Sequence, residues 1–430
     1  MATLYWFRRD LRLADNPSLV AAGSEVFAVV SNSALTGLSA IRRESLVASW
    51  HSLDRSLGGH LGMVDDVATT AIELGVTAVH CSRSFDPAGV AEQEALQAKL
   101  DSAGIKLVIG PGNYAVSPGS VRKPDGTPYR VYTPFFKAWF EHGWSAPIPA
   151  PSGVKWLAVG EELPADTGVR VGEAFALRTF ERFKVRALRE YNEERNRADL
   201  SGTSHLSHAL AHGEIHPRTL LAQLGETPGE ITFMKELAWR EFYADVLWHN
   251  PHTVEGYYEP RFAKMRYDLD PAKLEAWQQG KTGYPMVDAG MRQLLAEGWM
   301  HNRVRMIAAS FLVKDLHIEW QHGARWFEQH LTDFDVASNS HGWQWTAGCG
   351  TDASPYYRIF NPVMQGYKFD PNGDYVRKYV PELRGIPGKE VHEPWLLLSG
   401  LSEGYPAPIV DHAAERNEAL ARLEEIKVSQ

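Results

Sequence analysis

Apolar residues fall in short runs over the first part of the chain, and the stretches between them have helical spacing. Runs rich in β-formers lie at 3–7 and 26–30, with weaker ones at 78–81 and 106–109. Between them, 41–57, 67–74 and 88–100 read as helical stretches. Strands alternating with helices predict a parallel, doubly wound α/β sheet. Asp125-Gly126 is a turn signal where this pattern ends. From 129 to about 178, Pro, Gly and aromatics replace the periodicity, and Pro147, Pro149 and Pro151 predict a loop or polyproline geometry. This stretch reads as a long connector lying over both domains. From about 180 the spacing is helical, as at 286–295 and 306–318, with Gly298 and Gly323 as helix terminators and a charged helix at 413–427. The predicted domains are an α/β domain at 1–128, a connector at 129–180 and an all-α domain at 181–430.

With 430 residues, 44% of them hydrophobic, the chain can build one large core or two domains. No apolar run is long enough to span a bilayer. Arg8 and Arg9 follow the first apolar stretch, where a signal peptide would have them precede it, so a cytoplasmic location is expected, nucleoid-associated in a bacterium; separately, a monomer is expected. Two cysteines, Cys81 and Cys349, make neither a disulfide framework nor a structural zinc site, and no metal is expected. A net charge of −9 argues against coating nucleic acid through bulk positive charge, but leaves room for a local basic patch. The 14 Trp residues suit packed helices, stacking platforms or a route for electrons, so their positions must decide.

Four fragments carry candidate chemistry. In Gly202-Thr203-Ser204-His205-Leu206-Ser207, hydroxyls beside a glycine suit either a phosphate or an ordinary helix N-cap. In the run from Glu236 to Tyr243, Glu236 shares a helical face with Trp239 and with Arg240, as a ligand pocket or as a surface ion pair beside a core Trp. Around Asn302, the spacing aligns Asn302 with Met306 and His301 with Arg305; an amide, a thioether and arginines suit an anionic ligand with an aromatic part. From Asp333 to Trp345, Asn339 and Trp343 align at i, i+4 while Trp345 points elsewhere, as cofactor and pocket residues or as core aromatics.

Together and in this order, the four fragments resemble the photolyase/cryptochrome family, and within it the class I cyclobutane pyrimidine dimer photolyases. Trp6-Phe7-Arg8-Arg9-Asp10-Leu11-Arg12, the stretch 129–139, Gly280-Lys281-Thr282-Gly283-Tyr284-Pro285 and Ile359-Phe360-Asn361-Pro362 extend the likeness from about residue 3 to about 412. The resemblance implies a helical domain that holds FAD, active when reduced. Tyr191, Arg195, Thr203, Ser204, His205, Leu206 and Ser207 match its phosphate and ribityl cradle, and Arg240 and Asn302 match further FAD contacts. Asp333, Asp335 and Asn339 match the polar edge of the flavin, with Arg305 placed to pair with Asp333. Glu236, Trp239, Asn302, Met306 and Trp345 match a pocket for a flipped-out dimer, and Arg303 and Arg358 match phosphate contacts on UV-damaged DNA. If burial keeps the Glu236 carboxyl protonated, it can donate to a thymine carbonyl.

The chemistry implied is light-driven electron donation to the dimer, with Glu236, Asn339, Trp343 and Trp320 nearest to it. Trp343 and Trp320 match the inner and middle members of the family's photoreduction route, whereas its outer tryptophan is replaced by Tyr267. Val254 stands where a lysine is expected for a folate antenna, so a deazaflavin such as 8-HDF is preferred over MTHF, with an empty antenna site left open. The rival classes are a cryptochrome photoreceptor and a small-molecule flavin oxidoreductase. Glu236, Trp239 and Met306 disfavour the first. No G-x-G-x-x-G follows the first strand to support the second.

Overall fold

The computed structural model describes residues 2–352, 357–398 and 400–428. The runs at 3–7 and 26–30 form β1 (Thr3–Trp6) and β2 (Glu25–Ser31). They are followed by β3 (Leu61–Val64), β4 (Ala78–Ser82) and β5 (Lys106–Gly110). All pair in parallel, in the order β3-β2-β1-β4-β5. Leu4, Tyr5, Val26, Ala28, Val29 and Val79 are fully buried, as central parallel strands covered on both faces require. The helices Ala40–Ser56, Val67–Glu73 and Pro87–Ser102 follow in alternation. Asp66 and Asp86 cap the last two by accepting from the N–H groups of Thr69 and Gly89.

Three details depart from the sequence pattern. β3 was not expected, because Gly62 interrupts its apolar run. A Cβ there would lie 1.6 Å from the carbonyl oxygen of Val159, so the strand needs glycine for this close approach. The segment 129–180 is also no plain connector. It holds the helix Tyr132–His142, and its residues Lys155–Leu157 form β6, which pairs in parallel with 25–27 of β2. Residues 143–154, which include the three prolines, lack regular structure, as do 158–172 apart from one isolated bridge at Glu161. Gly323 ends no helix either. It lies inside the helix Trp320–His330, where a Cβ would meet the Trp343 ring at 2.1 Å. Gly298, by contrast, is the left-handed cap (φ 63°) of the helix Pro285–Glu297.

Two compact units result: Met1–Arg189 with Ser204–Pro251, and Glu190–Thr203 with His252–Gln430. The first includes the helix Pro228–His249, opened by a capping box between Thr227 and Glu230. On its buried face, Glu241 accepts hydrogen bonds from Ala115 N (2.5 Å), Val116 N (3.1 Å) and Trp139 Nε1 (2.6 Å). Burial pushes the Glu241 carboxyl up to about 7. Asp245, one turn on, accepts from Gly119 N at 2.6 Å. These two carboxyls fasten the 113–119 loop and helix 132–142 to helix 228–249.

The second unit is helical. Besides those named, the helices Asn302–Lys314 and Val336–Ala347 are central to it. Its core gathers Met286, Leu294, Val304, Ile307, Phe311, Trp320, Phe327 and Trp343. The chain passes between the units at 189/190, 203/204 and 251/252.

Candidate functional site

In the first unit, helix 228–249 carries Glu236, Trp239 and Arg240, all half-buried. The Trp239 ring is stacked on Tyr132 (centroids 3.7 Å, planes 9° apart) and edged by Phe242 at 5.7 Å. Tyr132 is itself fixed, its hydroxyl donating to Lys235 O at 2.6 Å. A stack of this kind contributes about 0.5–1.5 kcal/mol beyond area burial and leaves Trp239 little rotational freedom. Arg240 donates to Asn113 O (2.8 Å) and Leu210 O (3.3 Å), with its guanidinium 4.5 Å from the Tyr114 ring centroid. It therefore holds its own unit's loops, besides whatever ligand contact it makes. In the expected cradle, Ser204 Oγ accepts from Leu206 N at 3.4 Å and His205 sits at φ 52°, left-handed for a residue with a Cβ. Such a backbone costs about 1–3 kcal/mol and concentrates at ligand-binding segments.

Tyr191, Arg195 and Thr203 belong to the second unit. Tyr191 is buried at the start of the one-turn helix Tyr191–Glu194, and Arg195 caps that helix. Arg303 binds the same segment: its Nε and Nη2 donate to Asn196 Oδ1 at 3.1 and 2.8 Å, and its guanidinium lies 4.6 Å from the Phe369 ring centroid. Residues 190–203 are thereby tied to the start of helix 302–314. There Asn302 is exposed and Met306 half-buried, four residues apart.

Arg305 Nη2 donates to Asp333 Oδ2 at 2.7 Å, and Arg305 Nε to Met300 O at 2.8 Å. The Asp333 side chain is only 1% exposed, and its Oδ1 has no hydrogen-bond partner among the described residues. Asp335 caps helix 336–347 by accepting from Ser338 N at 2.8 Å. Asn339 Nδ2 donates to Ala324 O at 3.1 Å. One turn later Trp343 packs on Phe327 at 5.0 Å and on Trp277 at 6.1 Å. Trp345 is half-buried, with the Arg358 guanidinium 5.8 Å from its ring centroid.

An orphaned, buried carboxylate oxygen needs a donor. FAD brings ribose hydroxyls and a ring N–H that suit Asp333, and its phosphates suit Arg195, so the residues present fit this cofactor. The two thiols have no comparable setting: both are buried, which pushes Cys81 up to about 12 and Cys349 up as well.

The residues expected to carry electrons, Trp343, Trp320 and Tyr267, all belong to the second unit. Trp320 is buried, and the ring against it is Tyr257 (6.2 Å, 82°). Tyr267 comes after Tyr257, stacked on it at 6.4 Å. Sequence reasoning missed Tyr257, which lies in no periodic run. It also missed Tyr132 as the partner of Trp239, although the stretch 129–139 stood out.

Residues 3–152 match the family model described as DNA photolyase, and 233–425 match the FAD binding domain of DNA photolyase. A deoxyribodipyrimidine photo-lyase of Agrobacterium fabrum is 38% identical, covering 99% of this chain and 98% of its own length. A solved bacterial class III photolyase from Agrobacterium tumefaciens superposes with a TM-score of 0.91 at 38% identity, covering 99% of this chain and 98% of that one. An archaeal photolyase from Sulfolobus tokodaii, solved with two FAD molecules, gives 0.86 at 26% identity, covering 99% and 100%. Models of one family thus match both the sheet region and the helical region, and a relative aligns over nearly the whole length: the chain belongs to the DNA photolyase family.

Proposed function

We propose that this chain repairs cyclobutane pyrimidine dimers in UV-damaged DNA under blue or near-UV light. Family membership supports DNA photorepair and an FAD cofactor. The choice of dimer rests on this chain's own residues. The chemistry that reduced FAD supplies when bound is one electron, lent to the dimer to open its ring and then returned, with no net redox change. Asp333, Arg305, Asp335, Asn302 and Asn339 hold the flavin; Tyr191, Arg195, Arg240 and 203–207 hold its phosphates and ribityl chain. Asp333 would accept from the cofactor, with Arg305 orienting that carboxylate through its bond at 2.7 Å.

Trp239 and Trp345 receive the extruded bases, with Met306 and Asn302 lining the pocket and Arg303 contacting phosphate. Extrusion costs a few kcal/mol, less for damaged bases, and stacking returns about 1–3 kcal/mol per base. The pocket therefore needs a ring already held in place. Glu236, when protonated, donates a hydrogen bond to a pyrimidine carbonyl. The observation that carries the proposal is Trp239 held flat by Tyr132, one helical turn from Glu236. A deazaflavin such as 8-HDF, preferred to MTHF, serves as antenna. Reconstitution with each should give an excitation band feeding FAD only for the deazaflavin.

The sequence likeness was to class I enzymes, whereas the solved Agrobacterium structure is of class III. The test is repair of dimer-containing single-stranded DNA by chemically reduced, FAD-loaded protein. Dimers should disappear in light and persist in the dark, and dimers that survive illumination sink the proposal.

A further inference from the structure

We infer that the donor beyond Trp320 is Tyr257, which gives an electron to oxidised Trp320 while its phenolic proton passes to the carboxylate of Glu319. This rests on the reading that Trp343 and Trp320 relay electrons toward FAD. Tyr257 meets both acceptors at once. Its ring stands edge-on to Trp320 at 6.2 Å, and its hydroxyl donates to Glu319 Oε1 at 2.5 Å. Glu319 is the residue immediately before Trp320, at the start of the same helix. The electron acceptor and the proton acceptor are thus neighbours in the chain.

The surroundings explain why the hole should leave Trp320 and stop at Tyr257. Trp320 Nε1 is buried and has no hydrogen-bond partner among the described residues. An oxidised Trp320 therefore keeps its proton and its positive charge in an apolar setting, which disfavours it. Tyr257, in contrast, is a phenol with a base already in place. Burial and the bond to Glu319 both hold its pKa well above 10, so it starts as a neutral phenol. The other ionisable groups acting on it are Tyr267, whose ring is stacked on that of Tyr257 at 6.4 Å, and the buried Cys349 thiol. Neither supplies a carboxylate.

In the step, one electron moves from Tyr257 to the Trp320 radical cation. The Tyr257 O–H bond breaks and an O–H bond forms on Glu319. The products are neutral Trp320, a neutral Tyr257 radical and a protonated Glu319. The oxidant for Trp320 is photo-excited oxidised FAD, acting by way of Trp343. Return of the electron then requires return of the proton, which lengthens the life of the separated charge.

Flash photolysis of the FAD-loaded full chain, followed by transient absorption and EPR in H2O and D2O, tests this. A tryptophan radical should decay into a tyrosine radical, more slowly in D2O. Tyr257→Phe should abolish the tyrosine signal and prolong the tryptophan one, whereas Tyr267→Phe should leave both as they are. Glu319→Gln should slow tyrosine oxidation by at least about tenfold, toward the 10²–10⁴ that a positioned base contributes. A tyrosine radical that persists in Tyr257→Phe, or that vanishes in Tyr267→Phe, overturns the proposal. So does a wild-type tryptophan radical with no tyrosine successor. If no tryptophan radical forms at all, the relay through Trp343 and Trp320 has failed, and the proposal falls with it.

Discussion

Trp239 lies flat against Tyr132, with ring centroids 3.7 Å apart and planes 9° apart, so helix 228–249 and the helix between β5 and β6 share one aromatic platform. Trp239→Ala should weaken binding to a dimer-containing oligonucleotide by about 1–3 kcal/mol, the worth of one base stack. Tyr132→Ala should weaken it as well, by loosening the ring that stacks. Tyr132→Phe keeps the platform and loses only the bond to Lys235 O, so its effect should be smaller. Equal affinity in wild type and both alanine variants would remove this platform from the pocket.

Arg305 and Asp333 make a separable prediction. Asp333→Ala leaves Arg305 without its counterion. Breaking a fully buried pair costs roughly 3–5 kcal/mol, and the 24% exposure of Arg305 reduces that. The double change Asp333→Ala with Arg305→Met should recover much of the thermal stability but not FAD retention, measured as flavin released on denaturation. Full retention in the double variant would mean that the orphaned Asp333 oxygen is not part of the cofactor site.

Lys314 should set a pH dependence of stability. It is fully buried, donates to Arg358 O and lies 4.2 Å from the Tyr357 ring centroid. Burial pushes its pKa from 10.5 down to about 7. Between those values the unfolded chain binds a proton that the folded chain has released, so stability rises with pH across this window. Below about 7 both states are charged and the penalty is constant. Glu241, pushed up to about 7, acts with the opposite sign: its contribution falls as pH rises from its unfolded value of 4.5 toward 7. Lys314→Met should flatten the rise above neutrality and raise the denaturation midpoint at neutral pH. Unchanged curvature in urea titrations across the window would contradict it.

Affinity for damaged duplex should fall with salt despite the net charge of −9, by about 0.9 log unit per log unit of salt for each phosphate neutralised. Arg303→Ala should remove about one such unit from the slope. Asn196→Ala should lower affinity and keep the slope, because it frees the guanidinium from its two bonds to Asn196 Oδ1 without removing charge. An Arg303→Ala slope equal to wild type would detach this residue from phosphate.

The parts that were legible in the sequence are those where one local rule decides. β1 and β2 are apolar because central parallel strands are buried on both sides, and Gly298 is needed for a left-handed cap. Gly62 and Gly323 follow another rule. Each is small because a distant atom arrives there, Val159 O in one case and the Trp343 ring in the other, so a local pattern reads both as breaks. The Arg305–Asp333 pair is visible beforehand only through family likeness, since no spacing links two residues on separate segments. Tyr257 had neither guide. Its interest comes from what stands beside it, Trp320 on one side and Glu319 at its hydroxyl.

The segment 190–203 belongs to the second unit although residues 204–251 after it belong to the first. On the ribosome, a chain ending at 251 already contains the whole first unit. Tyr191 and Arg195 have by then emerged, but Asn196 still lacks Arg303 and Ala198 still lacks Phe369 O, its backbone partner. At about 5–20 residues per second, translation needs on the order of ten seconds or more to deliver the rest. For that interval the segment waits as an unpacked strap beside a finished domain. The packing of Asn196 and Ala198 is therefore among the last features of the molecule to form.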